Sequence, residues 1–426
     1  MFKKILIGTI LFAVVAVLLL QIDDNINPEV AAFLEQAEPA EHSEAYLYLL
    51  GIVAEEGEDP LTVGKQLFAS MQQAEENYTF GDEDFEYGGY PEGRELPLPH
   101  GELFCDRKED ECWQTIFLNT GDIEQVLTAN DTLLHRYQTF IKMNNYHTLA
   151  KPTLQEVFPP FHYLIKANRL IMLKVIHMTE SAEAANMLIV HIAALRQHLE
   201  SADNLIGKMI YSELISESFD VLSLVVHQRK SEHKNEIPLL SLQELSFETA
   251  MPREFAMNHE LYINLDQSPD LFAKEKQGIA LNPPPWVVTT FYKPNMTINA
   301  EYSFFKEVIS NSKLDQLDFT IKVTNDDSRL PNGLGAKVRN HTGYVLSSIA
   351  RPNFDQYIAR LLDLNAKIAL FNQTANKAEL PEDLGHIKNP YYETANTAFY
   401  SEDGKSICLT GPLEDDKNQR CVRVKL

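Results

Sequence analysis

His191 and His198 are the residues whose type and spacing come nearest to a chemical signature. Seven apart on a helical stretch, they fall near one face, two turns and about 10 Å apart. One metal ion would need a third ligand to close that gap, and His227 of the following stretch is the available one. Helical-bundle metal sites draw on Glu-x-x-His pairs from facing helices. No histidine here has a Glu three residues before it: His135 has Thr132, His177 has Lys174, His191 has Leu188, His198 has Leu195 and His227 has Leu224. The favoured reading is therefore of ordinary partly buried or surface histidines, with no metal or cofactor site. The nucleophile elbow G-x-S-x-G, the zinc motif H-E-x-x-H, the phosphate loop and G-x-G-x-x-G are all absent from the sequence. No catalytic residue is assigned. An active site assembled from distant residues stays open, because catalytic groups are recognised by geometry.

The cysteines carry a second pattern. There are four, Cys105 with Cys112 and Cys408 with Cys421. Two locally spaced pairs favour two small disulfide loops. Free buried thiols are the alternative. Zinc is disfavoured, since its sites show tight C-x2-C knuckles and these gaps are six and twelve residues. The stretch 77–101 holds five Gly, three Pro and the carboxylates Asp82, Glu83, Asp84, Glu86, Glu92 and Glu95. Clustered oxygens suit calcium, but the EF-hand spacing is missing, and a solvated acidic loop is favoured.

These residues need elements to place them. Helices are predicted at Glu29–Gln36, Ser43–Val53, Asp59–Glu76, Gly121–Met143 and Asn353–Asn372. Asp59 is the expected N-cap of the third, with Pro60 at its first position. Thr153–His227 reads as at least two adjoining helices with short connections, expected to pack antiparallel. Thr179 or Ser181 and then Ser201 with Asp203 stand where helices would restart. Asn295 or Thr297 is the expected cap of a helix carrying Phe304, Phe305 and Val308. Pro283–Trp286 reads as a stiff connector and Gly333–Gly335 as a turn. Tyr391–Tyr392, Ala398–Tyr400, Ile407–Thr410 and Cys421–Val424 read as short extended pieces. No 34-residue repeat emerges.

Chain-wide features bound the setting. The 426 residues are 44% hydrophobic and 23% charged, with 61 acidic against 37 basic side chains and a net charge of −24. Such an excess of carboxylates argues against nucleic acid as a partner. It also argues against electrostatic docking on anionic lipid. At the N-terminus, Lys3 and Lys4 precede an uncharged run, Ile5–Ile22, and Asp23 and Asp24 follow it. As a helix the run spans roughly 27 Å, close to the thickness of a bilayer core. The charge asymmetry places residue 1 in the cytoplasm and the rest outside. Leu18-Leu19-Leu20-Gln21-Ile22 makes a poor signal-peptidase site, so an uncleaved anchor is favoured over a cleaved leader.

Three stretches, Leu164–Ile210 (LIKANRLIMLKVIHMTESAEAANMLIVHIAALRQHLESADNLIGKMI), Phe291–Phe305 and Arg351–Gln373, resemble a broad group of uncharacterised bacterial envelope proteins with an N-terminal anchor and a helical body. The tail Asn389–Pro412 is loosely similar to type II pseudopilin endings. It departs from them at Asn389, where Asp is usual, and the chain lacks their N-terminal methylation signature. The resemblance implies location and architecture, not chemistry.

The expected fold is mainly α, a set of helical hairpins, a bundle or a short helical array outside the cytoplasm, with a small C-terminal β element and an N-terminal transmembrane helix. The expected organisation is an anchor at 1–22, a helical body at 23–276 with the acidic loop 77–101, and a second helical region at 277–426 ending in the disulfide-bonded β element. The expected function is that of a single-pass protein of the bacterial inner membrane. Residues 5–22 would lie in the bilayer and the bulk in the periplasm, binding or scaffolding a protein partner. An envelope hydrolase and an accessory part of a secretion or pilus system are the alternatives.

Overall fold

The computed structural model describes residues 21–80, 82, 85, 87–106, 111–229, 236–268, 285–325, 338–349, 351–375, 383–393, 398–415 and 418–426, together with Ile5, Ile7, Gly8, Leu11 and Val15. Most of the apolar run therefore lies outside the described residues, as do Gly333–Gly335 and Pro283 and Pro284. Ile5, Ile7, Leu11 and Val15 are helical and exposed. Among the described residues, no helix is long and apolar enough to cross a membrane.

The architecture is mainly helical. In chain order the helices are α1 Pro28–Glu35, α2 Glu44–Leu50, α3 Pro60–Glu75, α4 Cys112–Leu118, α5 Thr120–Ala129, α6 Asp131–Phe140, α7 Phe161–His177, α8 Ser181–Ser201, α9 Leu205–Gln228, α10 Leu242–Leu245, α11 Met251–Gln267, α12 Pro285–Thr290, α13 Pro294–Asn311, α14 Gln316–Asn325, α15 His341–Ile349 and α16 Phe354–Thr374. Strands β1 Ala398–Tyr400, β2 Ser406–Leu409 and β3 Cys421–Arg423 form one antiparallel sheet in the order β1-β2-β3. Tyr391–Tyr392 is not a strand.

Local sequence explains several of the helix starts. The Asp59 carboxylate accepts from the Thr62 N–H at 2.9 Å, and Pro60 takes the first helical position of α3. Ser43 caps α2 in the same way. The expected helix 121–143 is broken at Asn130 into α5 and α6. The stretch 153–227, read as at least two helices, holds three, and Asn204, not Ser201 or Asp203, caps the last of them by accepting from Gly207. Neither Asn295 nor Thr297 caps α13. Both lie inside its first turn, and the Asp23 carboxylate accepts from the N–H groups of Asn295 and Met296 instead.

The helices α7, α8 and α9 run up, down and up. Mid-helix residues meet across all three: Asn168 of α7 contacts His191 of α8 and Glu217 of α9. Short connections force this antiparallel arrangement. Helix α16 packs on α9, and β3 packs on both. One continuous hydrophobic cluster runs from Val30 through Leu173, Leu222 and Leu364 to Val422. The C-terminal sheet contributes Ile407, Leu409, Val422 and Val424 to it.

Candidate functional site

His191 and His198 are buried in α8, and His227 of α9 is half-buried. His191 Nε2 lies 2.8 Å from Asn168 Oδ1, whose amide donates to Glu217 at 2.7 Å. Glu217 also pairs with Arg169 at 2.7 Å. Arg169 stacks over Trp113 and donates to the carbonyls of Leu103 and Cys105, which ties the Cys105–Cys112 disulfide loop to α7. His198 is sandwiched between Phe140 and Tyr211, with ring centroids 4.8 and 5.3 Å away. Burial lowers the pKa of His191 to about 3 and those of His198 and His227 to about 4, so all three are neutral at pH 7. Among the described residues no group of three or more His, Cys, Asp or Glu side chains is arranged to hold a metal ion.

Both cysteine pairs form disulfides. Cys105 and Cys112 have Cα atoms 5.6 Å apart, and Cys408 and Cys421 lie directly opposite on β2 and β3 with Cα atoms 4.0 Å apart. That second distance is shorter than the usual disulfide range, as close cross-strand pairing brings opposed residues together.

The loop 77–101 does more than solvate charge. Gly81, Glu83, Asp84 and Glu86 lie outside the described residues, but the loop is fastened to the body at Tyr90 and Leu96. Leu96 is buried, and its N–H donates to the Val53 carbonyl at 2.8 Å. Its carbonyl accepts from the Tyr163 hydroxyl at 2.8 Å. The Tyr90 hydroxyl donates to Glu58. Fastened in this way, the loop forms the wall of two clefts.

Those clefts are built on α3. Gly51 and Gly64 let the α2 and α3 backbones touch: a Cβ on Gly64 would lie 1.7 Å from the Leu47 carbonyl oxygen. Arg136, buried in α6, donates to the carbonyls of Ile52, Ala54, Glu55 and Glu58 and so fixes the turn between α2 and α3. The first cleft, about 480 Å³, is lined by Phe68 and Met71 of α3, by Tyr87 and by the segment 149–157. Its charged lining is Glu41, Glu75, Glu76 and Glu156 against Lys151, which lies 3.6 Å from Glu75. Glu156 is buried and pairs with Arg253 at 2.8 Å. Burial raises its carboxyl pKa to about 7, against the opposing pull of Arg253. The second cleft, about 640 Å³, is lined mainly by apolar and aromatic groups, among them Leu50, Val53, Leu67, Phe158 and Tyr163. Both share Met71, Tyr87 and Val157 as a common wall.

Volumes of this order suit a small molecule. An apolar body would fill the second cleft, and a cationic group would meet the carboxylates of the first. The sequence reading missed this site because its parts come from five separate segments, 39–41, 50–53, 67–76, 87–98 and 149–163. The faint signals were Gly64 inside a helix, where glycine costs about 1 kcal/mol against alanine, and three tyrosines in the acidic loop region.

No family model, no curated protein and no solved structure matches this chain. Its described part is a helical body carrying a small disulfide-linked sheet, with a two-part cleft beneath a fastened loop.

Proposed function

We propose that this protein is a single-pass protein of the bacterial inner membrane whose periplasmic body binds a small ligand with an apolar body and a cationic end. The run Ile5–Ile22 supports the anchor, and its flanking charges support the orientation. Two disulfides suit an oxidising compartment. The resemblance of Leu164–Ile210 and the later helical stretches to anchored envelope proteins points the same way. The observation that carries the binding reading is the shared wall of Met71, Tyr87 and Val157 between an acidic and an apolar cleft.

Calorimetry with octylamine, octanol and octanoate tests the reading, because the three share a chain and differ in charge. Octylamine is expected to bind about tenfold tighter than octanol, or about 1.4 kcal/mol, with octanoate weakest. Val157→Trp, which fills the shared wall, is expected to abolish binding. If none of the three binds, or if Val157→Trp binds as well as the wild type, the cleft is not a ligand site.

A further inference from the structure

The end of the apolar run is bound to one particular face of the body. The Ile22 carbonyl accepts from Arg339 at 2.6 Å, and the same guanidinium pairs with Asp24 at 3.1 Å. Asp23 caps α13, and Asn25 and Asn27 are hydrogen-bonded to Asn299 of the same helix. Arg339 stands two residues before α15. The last residue of the run is therefore held beside α15 by several bonds rather than by a loose tether.

Helix α15 has an unusual surface for a chain of net charge −24. Its sequence HTGYVLSSI carries no Asp, Glu, Lys or Arg. Gly343 and Ser347 are buried, and Gly343 fits close against Thr297 of α13. The opposite side presents Val345 and Ile349, four residues apart on one face. Ile349 is 75% exposed, Val345 41%, and Val338, just before the helix, 56%. Phe291, whose carbonyl accepts from the Thr342 N–H, is also exposed.

We propose that this face, with Val338, Val345, Ile349 and Phe291 at its centre, lies on the outer surface of the bilayer that receives Ile5–Ile22. The occupant is lipid because the apolar run ends against this face, so the bilayer begins where α15 is exposed. The contact is apolar in character, which fits a body whose negative charge disfavours electrostatic attraction to anionic headgroups. The body is then docked in one orientation, with α13 and α15 toward the membrane. The proposal rests on the anchor reading and adds an orientation to it.

The test uses the full chain in phosphatidylcholine liposomes. Every native cysteine is in a disulfide, so an environment-sensitive thiol dye reports on one introduced site at a time. The sites are Val345→Cys, Ile349→Cys, the exposed α8 position Val190→Cys as a remote reference, and Val15→Cys within the run. Dye at 345 and 349 is expected to be quenched several-fold more strongly by spin-labelled lipid than dye at 190, and to be shielded from aqueous iodide. Adding Val345→Glu to the Ile349→Cys chain is expected to bring its quenching down to the level at 190. Equal quenching at 345, 349 and 190, with strong quenching at 15, overturns the docked face and leaves the anchor standing. Weak quenching at 15 overturns the anchor and the docked face together. A dimer in detergent that buries both α15 labels also overturns the lipid contact.

Discussion

The Asp23 carboxylate accepts from the backbone N–H of Asn295 at 2.9 Å, across 272 residues of sequence, and its other oxygen accepts from Met296 at 3.1 Å. These N–H groups belong to the first turn of α13 and have no partner within the helix. An acidic side chain there also meets the positive end of the helix dipole. Asp23→Ala is expected to lower stability by about 1–2 kcal/mol, and Asp23→Asn by less, because an amide oxygen still accepts one bond. Thermal unfolding of the full chain in mild detergent checks both. A neutral Asp23→Ala would mean that α13 is capped in another way.

The run before Asp23 makes a separate prediction about location. Residues 24–426, exported behind a cleavable signal, are expected in the soluble periplasmic fraction, while the full chain is expected in the membrane pellet after a high-salt wash. A truncated chain that still pellets would move the membrane attachment into the body.

The contact between α2 and α3 carries the floor of both clefts. A Cβ on Gly64 would meet the Leu47 carbonyl oxygen at 1.7 Å, and one on Gly51 would meet the Pro60 carbonyl oxygen at 2.0 Å. These are backbone atoms, so relief requires the helices to separate. Gly64→Ala is expected to cost more than about 2 kcal/mol and to weaken octylamine binding by displacing Phe68 and Met71. Gly121→Ala in α5, where nothing lies within 4 Å, serves as the control. It is expected to be neutral or stabilising by up to about 1 kcal/mol.

Local chemistry was legible in the sequence and long-range chemistry was not. Asp59 and Pro60 announce α3 because a cap and its helix are adjacent. The spacing of Cys105 with Cys112 and of Cys408 with Cys421 announces short loops for the same reason. Mainly helical architecture with a small β ending followed from hydrophobic period. By contrast, Asn295 and Thr297 looked like caps because the true cap, Asp23, lies at the other end of the chain. The pairing of Glu156 with Arg253 and of Glu217 with Arg169 spans 97 and 48 residues. No periodicity encodes such pairs. The two-part cleft was hidden likewise, since α3, the loop 87–98 and the segments 39–41, 50–53 and 149–163 are brought together by long-range contacts such as Gly51–Gly64, the Arg136 clamp and the Tyr163–Leu96 bond.

The C-terminal sheet depends on both a covalent and a polar fastening. Replacing Cys408 and Cys421 together by Ser opens a loop of 13 residues' separation, worth about 3 kcal/mol by loop entropy. The shorter Cys105–Cys112 loop is worth about 2.5 kcal/mol on the same basis, and Arg169 holds it a second time through the Cys105 carbonyl. The larger loss is therefore expected at the sheet. Its polar fastening is the Tyr391 hydroxyl, which donates to the buried Asp363 of α16 at 2.5 Å beside Arg420. Tyr391→Phe removes that donor, leaves the buried carboxyl with Arg420 at 3.6 Å, and is expected to cost about 1–3 kcal/mol. Limited proteolysis of the tail, compared across the three variants, ranks them. Equal protection of the tail in the Cys408 and Cys105 double variants would contradict the ranking.

Acid sensitivity is expected to come from the buried histidines. Burial between Phe140 and Tyr211 lowers the His198 pKa to about 4 from its ordinary 6.5, against a small opposing pull from the Phe140 and Ile141 carbonyls. As pH falls below 6.5, the unfolded chain takes up a proton that the folded chain refuses until about pH 4. Stability from this group is therefore complete above pH 6.5 and declines as pH drops toward 4. His191 and His227 act with the same sign. Glu156 and Asp363 act with the opposite sign. Burial raises both to about 7, so the folded chain keeps protons that the unfolded chain has released, and stability falls as pH rises from their ordinary values to 7. The whole protein is thus expected to show a shallow pH profile between 4 and 7, made of opposing contributions. A single substitution separates them. His198→Phe keeps an aromatic ring in the sandwich and removes the proton. Between pH 7 and pH 5 it is expected to lose about 2 kcal/mol less stability than the wild type, at 1.36 kcal/mol per pH unit below 6.5. Urea unfolding at the two pH values measures the difference. A variant whose stability falls in parallel with the wild type would show that His198 takes up its proton equally in the folded and unfolded chains.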